Sequence, residues 1–338
     1  MSRGFNTGPG LHGNQCANAT TPPRQTAVSR CMVLALGALG ASLCLAQPAL
    51  RDEPQPIPRT EALRIEVLEG TFRSVVERGN IALAYREDAV PFSYILPGRA
   101  RPVGYSIDIC LDIVQALSAR LGMALTVRWV PVTAESRFQV IEQGLADLEC
   151  GSTSSTPERL QSVAFSPPIF ITGARVLVPR ARIVRSPRDL QGLRAGTVEG
   201  STVSAMFQGL ATGADQISFP DYRQAFDALQ AGKLDALVAD DVLLHGLIDK
   251  EGVRAKYRIA GPWLTHEVYG IVYRRGDPQM AAFITDTLNH LAAQRDLSNY
   301  YSRWFLKRLP GGERLGLPMS PALQSVFQLM AREAEPGF

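Results

Sequence analysis

Between residues 81 and 306 short apolar runs alternate with longer stretches in which apolar positions recur every three or four residues, the pattern of an α/β chain. "IALAY" (81–85) reads as a strand and "SIDICLDIVQALSARLG" (106–122) as a helix. Cys110, Val114, Leu117 and Leu121 step by four, three and four along that helix, which turns Cys110 toward the core. The pattern continues with a strand at 124–130, a helix at 134–143, strands at 146–150 and 163–166, and a long extended run, "IFITGARVLVPR" (169–180). A second α/β series follows: helix 187–191, strand 193–198, helix 202–210, strand 216–219, helix 221–231 and strand 235–240. A second long extended run, "EVYGIVYRR" (267–275), precedes two closing helices at 278–293 and 295–306.

The two long runs bracket a segment with its own helices and strands. Such a segment suits an inserted lobe joined to the first by two crossing strands, with a cleft between, and clefts of that kind take small ligands. A single larger sheet produces the same pattern.

Residues 1–46 hold Arg3, Arg24 and Arg30, no acid, and the run "CMVLALGALGASLCLA" (31–46). Basic residues, an apolar run and a small residue at the junction read as a secretory signal cut near Ala46, which makes the mature chain an exported one. An uncleaved anchor is the alternative, but the run is shorter than the roughly 20 residues a bilayer needs. "QPALRDEPQPIPR" (47–59) is Pro-rich and reads as a flexible leader. Without the three arginines of the signal, the 35 basic residues become 32 and equal the 32 acids. That balance gives no support to a nucleic-acid partner. Of five cysteines only Cys110 and Cys150 remain, and an even pair in an exported chain suggests one disulfide, against two buried thiols.

The candidate chemistry gathers just past strand ends, where α/β folds hold ligands. Arg86 follows the first strand, Arg137 opens a helix, and Arg159 follows a run of hydroxyls. A guanidinium matches a carboxylate in two-pronged fashion, so three in equivalent positions suggest an anionic ligand. Thr156-Pro157 and the Ser155-x-x-Glu158 spacing read as a helix start. Ser152 and Ser154 alternate along an extended segment and are free to face the cleft. "TVEGST" (197–202) runs from a strand through Gly200 into a helix, where Ser201 and Thr202 suit an anion; a plain turn glycine reads the same. Asp240 and Asp241 end a strand, one to cap the next helix and one to hold an ammonium group. The set calls for separated negative groups and one positive group, as in an acidic amino acid. His245, His266 and His290 show no spacing for a metal or a triad.

"REDAVPFSY", "PVGYSIDICLDIV", "PVTAESR", "DLECGST" and "DALVADDVLL" occur in an order and spacing that resemble periplasmic solute-binding proteins of polar amino acid ABC importers, above all the glutamate/aspartate-binding proteins. The likeness runs from about 78 to 308, and the tail "MSPALQSVF" resembles their C-terminal extension. It implies a two-lobed, type II periplasmic-binding-protein-like α/β fold with two hinge strands. The parts are a signal (1–46), a leader (47–77), lobe 1 (78–172 with 267–308), lobe 2 (173–266) and an extension (309–338). The resemblance assigns the ligand α-carboxylate to Arg159 with Ser152, Ser154, Ser201 and Thr202, the α-ammonium to Asp240, and the side-chain carboxylate to Arg86 and Arg137. It supports the Cys110–Cys150 bridge and implies permease subunits of an inner-membrane importer as partner, with no cofactor. Ala134 stands where that family often has Ser and Tyr222 where it has His, so the amides glutamine and asparagine stay open as ligands. Two other functions fit the same fold: a periplasmic dehydratase of prephenate or arogenate, and an amino acid sensor. The dehydratase needs an acid or base after the Ser201–Thr202 turn, where this chain has Val203 and Ser204.

Overall fold

The computed structural model describes residues 67–210 and 213–334, all within one unit running from Ile65 to Phe338. The expected secretory signal at 1–46 and the Pro-rich segment 47–59 lie outside the described residues. No helix among the described residues is long and apolar enough to cross a membrane.

Two separate five-stranded sheets organise the chain, which excludes the single larger sheet. In the first, β1 (Asn80–Tyr85) lies between β5 (Thr126–Pro131) and β6 (Leu148–Glu149), parallel to both; β15 (Val272–Arg274) and β7 (Val163–Phe165) complete it, β15 running antiparallel to its two neighbours. In the second, β11 (Asp215–Phe219), β10 (Arg194–Val198) and β12 (Ala236–Asp240) are parallel, and β9 (Ala174–Pro179) runs antiparallel to β12 and to the edge strand β13 (Tyr257–Ala260). The two sheets therefore repeat one plan. After Asn80 every residue of β1 is buried, because helices cover a parallel sheet on both faces and such a strand must be apolar throughout. Those coverings include α2 (Tyr105–Leu121) and α3 (Arg137–Glu142) on the first sheet. On the second they are α4 (Thr202–Met206), α5 (Tyr222–Gln230) and α6 (Asp241–Lys250).

The two long extended runs each break once. β8 (Phe170–Thr172) and β14 (Glu267–Tyr269) pair antiparallel as a two-stranded ribbon, Thr172 opposite Glu267, and join the sheets. The breaks fall at Gly173 and Gly270. A Cβ on Gly173 would stand 2.3 Å from the Thr265 carbonyl oxygen and 2.8 Å from the Trp263 ring, so only glycine lets the chain cross there. Beneath the ribbon, Phe92, Tyr105, Phe170, Tyr269 and Phe305 interlock, with ring centroids 4.8–5.9 Å apart for Phe92 with Tyr105, Phe170, Tyr269 and Phe305 and for Phe170 with Phe305. Cys110 of α2 and Cys150, just after β6, form a disulfide.

Four features depart from the sequence reading. The segment expected as leader to residue 77 ends in a helix, α1 (Gly70–Arg78), whose Phe72 and Val75 are buried; Phe72 meets Phe283 edge-on at 5.4 Å. Nine residues with three apolar positions carry too little periodicity to stand out. The extension contains α9 (Pro321–Glu333), which buries Leu323, Phe327 and Met330 and packs on α7 (Pro278–Ala293), the helix that precedes α8 (Asp296–Tyr301). The helix expected to start at Ser155–Thr156 is absent. Ser154 bridges to Tyr269, the Ser155 N–H donates to the Val268 carbonyl at 2.8 Å, and the chain stays extended against the ribbon. Thr156 Oγ1 accepts from the Arg159 N–H at 3.2 Å, and only a single 3₁₀ turn, Arg159–Gln161, follows. Finally, β2 (Asp88–Ala89), β3 (Ser93–Ile95) and β4 (Pro102–Val103) form a small sheet directly after Arg86, too short to show a period of two.

Candidate ligand-binding site

All nine residues singled out from the sequence, together with Ala134, line one tight cavity with only about 10 Å³ of free volume. From the side of the first sheet come three guanidinium groups. Arg86 leaves the end of β1 with its backbone clamped: its N–H donates to Ser93 Oγ at 2.9 Å, and the Ser93 hydroxyl donates to its carbonyl at 3.1 Å. Its side chain is 5% exposed and pairs with Asp88 at 2.6 Å. Arg137, at the start of α3, donates to the carbonyls of Ala134 and, at 3.2 Å, Gly200. Arg159 donates to the Ser154 carbonyl at 2.8 Å and to the same Gly200 carbonyl at 3.0 Å. The ring of Phe138 lies 4.6 Å from the Arg137 guanidinium carbon and 4.9 Å from that of Arg159, and its π-face eases the approach of two like charges.

The second sheet supplies the opposite wall. At Gly200 the backbone is left-handed, φ +68°, and a Cβ would come within 2.6 Å of the Glu135 Cα and 2.7 Å of the Ala134 carbonyl oxygen. The absence of a side chain lets the turn touch the arginine wall. Ser201 caps α4, donating to the Val198 carbonyl at 2.6 Å and accepting from the Ser204 N–H at 3.0 Å. The Thr202 hydroxyl donates to Glu267 at 3.0 Å. Both hydroxyls at this turn are thus engaged within the protein. Val203 is buried in the core of the second sheet and Ser204 bonds to Ser201, so no acid follows the turn. Asp241 pairs with Arg175 at 3.4 Å, whereas Asp240 points into the cavity; neither caps α6 through its side chain.

Burial sets the charge states. Asp240 takes a hydrogen bond from the Tyr269 hydroxyl on Oδ2, while Oδ1 is buried with no partner among the described residues. Burial, with Glu267 beside it, raises its carboxyl to about 7, against the pull of Tyr269, Arg159 and Arg137. Burial lowers Arg137 to about 9, aided by Arg159 and opposed by Glu149. Arg159 is also lowered by burial, while Glu267 and Asp240 work the other way. Behind the arginines Glu149 has no solvent exposure and neither oxygen has a hydrogen-bond partner among the described residues. Burial raises its pKa; Arg137, the neighbouring Thr153 hydroxyl, Arg86 and Arg159 oppose the rise.

The family model of bacterial extracellular solute-binding proteins, family 3, matches residues 81–307. The chain belongs to that family. An L-glutamate/L-aspartate-binding protein of Pseudomonas aeruginosa is 32% identical over 77% of this solute-binding protein and 88% of the relative. A glutamate/aspartate import solute-binding protein of Escherichia coli is 28% identical, over 76% and 87%. Both are named for binding, not for catalysis. Among solved structures, the solute receptor for L-cysteine of Neisseria gonorrhoeae superposes with a TM-score of 0.62 at 21% identity, covering 69% of this chain and 92% of that one; it confirms the two-lobed fold.

The sequence reading missed Asp88, Phe138, Glu149, Glu267 and Tyr269 of the solute-binding protein. Asp88 and Phe138 stand within two residues of arginines already singled out, a signal within reach. Glu149 lies within a buried strand and Glu267 opens one, and a carboxylate in a buried strand is itself a flag that something beside it carries positive charge or a donor.

Proposed function

We propose that this protein captures an acidic amino acid, glutamate or aspartate, in the periplasm and delivers it to the permease subunits of an ABC importer. The reading includes export by the signal at 1–46, with lobe 1 (78–172 and 267–308) and lobe 2 (173–266) closing about the ribbon on the ligand. Arg159, with Ser152 and Ser154 and the turn at Ser201 and Thr202, takes the α-carboxylate. Asp240 takes the α-ammonium, and Arg137 with Arg86, bordered by Tyr222, takes the side-chain carboxylate.

One observation carries the proposal: a buried guanidinium, Arg137, and a half-buried one, Arg159, neither with an ion-pair partner among the described residues, share a cavity with a buried carboxylate, Asp240, one oxygen of which has no partner among them. Buried charge that the protein leaves unpaired is expensive unless something else completes it. A molecule with two carboxylates and one ammonium group does so. The names of the Pseudomonas aeruginosa and Escherichia coli relatives support the same ligand.

The test is calorimetric titration of exported protein, unfolded and refolded to strip carried-over ligand, with glutamate, aspartate, glutamine and asparagine. Binding at micromolar strength or better, about 8 kcal/mol, is expected for at least one acid. Arg159→Ala should weaken it by about ten- to a hundredfold, the worth of a charge-assisted hydrogen bond. Full affinity in Arg159→Ala would place the ligand elsewhere.

A further inference from the structure

Arg86 and Arg137 both face Tyr222 and Glu149, yet their partners differ. Among the described residues, Arg137 donates hydrogen bonds to backbone carbonyls only, those of Ala134 and Gly200. Arg86 is held by a carboxylate, Asp88, at 2.6 Å. The pair is built in rather than adventitious. Asp88 lies in β2 opposite Tyr94 of β3, and the neighbouring Ser93 hydroxyl clamps the Arg86 backbone from both sides. The second Asp88 oxygen accepts the Tyr222 backbone N–H at 3.3 Å, across the cleft from the other sheet. Side-chain exposure is 5% for Arg86 and 20% for Asp88, so the pair sits largely out of water and its mutual neutralisation is weakly screened.

A guanidinium already paired with a carboxylate attracts a second one far less than a lone guanidinium does. We infer that Asp88 is a specificity-determining residue: a built-in carboxylate that occupies Arg86, leaves Arg137 as the uncompensated guanidinium at the side-chain end, and so narrows the preference for an acidic side chain over its amide. Glu149 does not play the same part toward Arg137, because it makes no ion pair among the described residues and burial pushes it toward its neutral form. An amide carbonyl can still accept from Arg137, which is what makes the amide the competitor that matters. The inference rests on the reading that this cavity binds an acidic amino acid.

The experiment compares wild type with Asp88→Asn, which keeps the shape and an acceptor for the Tyr222 N–H, and with Asp88→Ser, which is too short to hold both partners. Each is titrated at pH 8 with aspartate, glutamate, asparagine and glutamine, and the ratio of acid to amide affinity is read for the tighter acid and its own amide. In both variants that ratio should rise about tenfold, a 1.4 kcal/mol gain, through tighter acid binding. Amide affinity should stay within about threefold, well under the 1.4 kcal/mol step. Thermal unfolding provides a second readout: the freed Arg86 lowers the ligand-free melting temperature, and the acid restores it more than the amide does. An unchanged ratio in both variants overturns the inference, as does parallel weakening of acid and amide, which would make Asp88 only a clasp on Tyr222. Wild type that binds none of the four removes the functional reading and this inference together. Wild type that binds, loses affinity in Arg159→Ala and keeps its ratio at position 88 removes this inference alone.

Discussion

Within the cavity the Asp240 carboxyl is held at about 7, against an ordinary value of 3.8. Burial is the main cause and Glu267 adds to it; Tyr269, Arg159 and Arg137 pull back, and Tyr222 faces the same carboxyl. The difference disfavours the charged form by about 4 kcal/mol. An α-ammonium group needs that charged form. Below pH 7 ligand entry must therefore expel a proton, and apparent affinity falls toward tenfold per pH unit; above pH 7 the carboxyl is already ionised and the dependence flattens. From pH 8 to pH 6 the apparent Kd should rise about tenfold. The assay is titration at both pH values in phosphate and in a buffer of large ionisation heat, which counts protons. Close to one proton should leave on binding at pH 6 and almost none at pH 8. In Asp240→Asn binding is weaker and this release is gone. Release that persists in Asp240→Asn, or no release in wild type at pH 6, refutes the reasoning. Stability of the ligand-free protein carries the opposite sign: because the folded carboxyl holds its proton more tightly than the unfolded one, Asp240 makes it lose stability as pH climbs from about 4 to about 7, and no more beyond.

Two further outcomes follow from the packing. Cys110 and Cys150 are 40 residues apart, so replacing both with alanine should cost about 4 kcal/mol by chain entropy, read as a lower urea midpoint. Gly200→Ala demands a left-handed backbone of alanine, about 1 kcal/mol, and drives its Cβ against the backbone of Ala134 and Glu135. Ligand affinity in that variant should drop at least tenfold, more than 1.4 kcal/mol. The melting temperature without ligand should move by only a few degrees, and equal affinity at position 200 would mean the turn does not approach the arginines when ligand binds.

Much of the architecture was legible in the chain itself. Strands buried on both faces read as apolar runs, as in "IALAY", and amphipathic helices such as 106–122 display one face by spacing alone. The two long extended runs marked the crossings, and the site residues stood at strand ends in quotable motifs. What escaped were elements too short or too polar for a period to emerge: α1, the small sheet after Arg86, and the edge strand β13, whose "YRIA" is only half-buried. The hydroxyl run at 152–156 misled in part. Its local signals favour a helix start, but pairing of Ser154 and Ser155 with β14 satisfies the backbone in extended form instead.

Residue types and their order along the chain thus determined the α/β plan, the two crossings and the three arginines, because periodicity and motif spacing are local properties. Tertiary structure alone decided which charges meet. That Arg86 is occupied by Asp88, that Arg137 and Arg159 share Phe138 and the Gly200 carbonyl, and that Glu267 crowds Asp240 are facts of through-space distance in a medium where burial magnifies every unpaired charge.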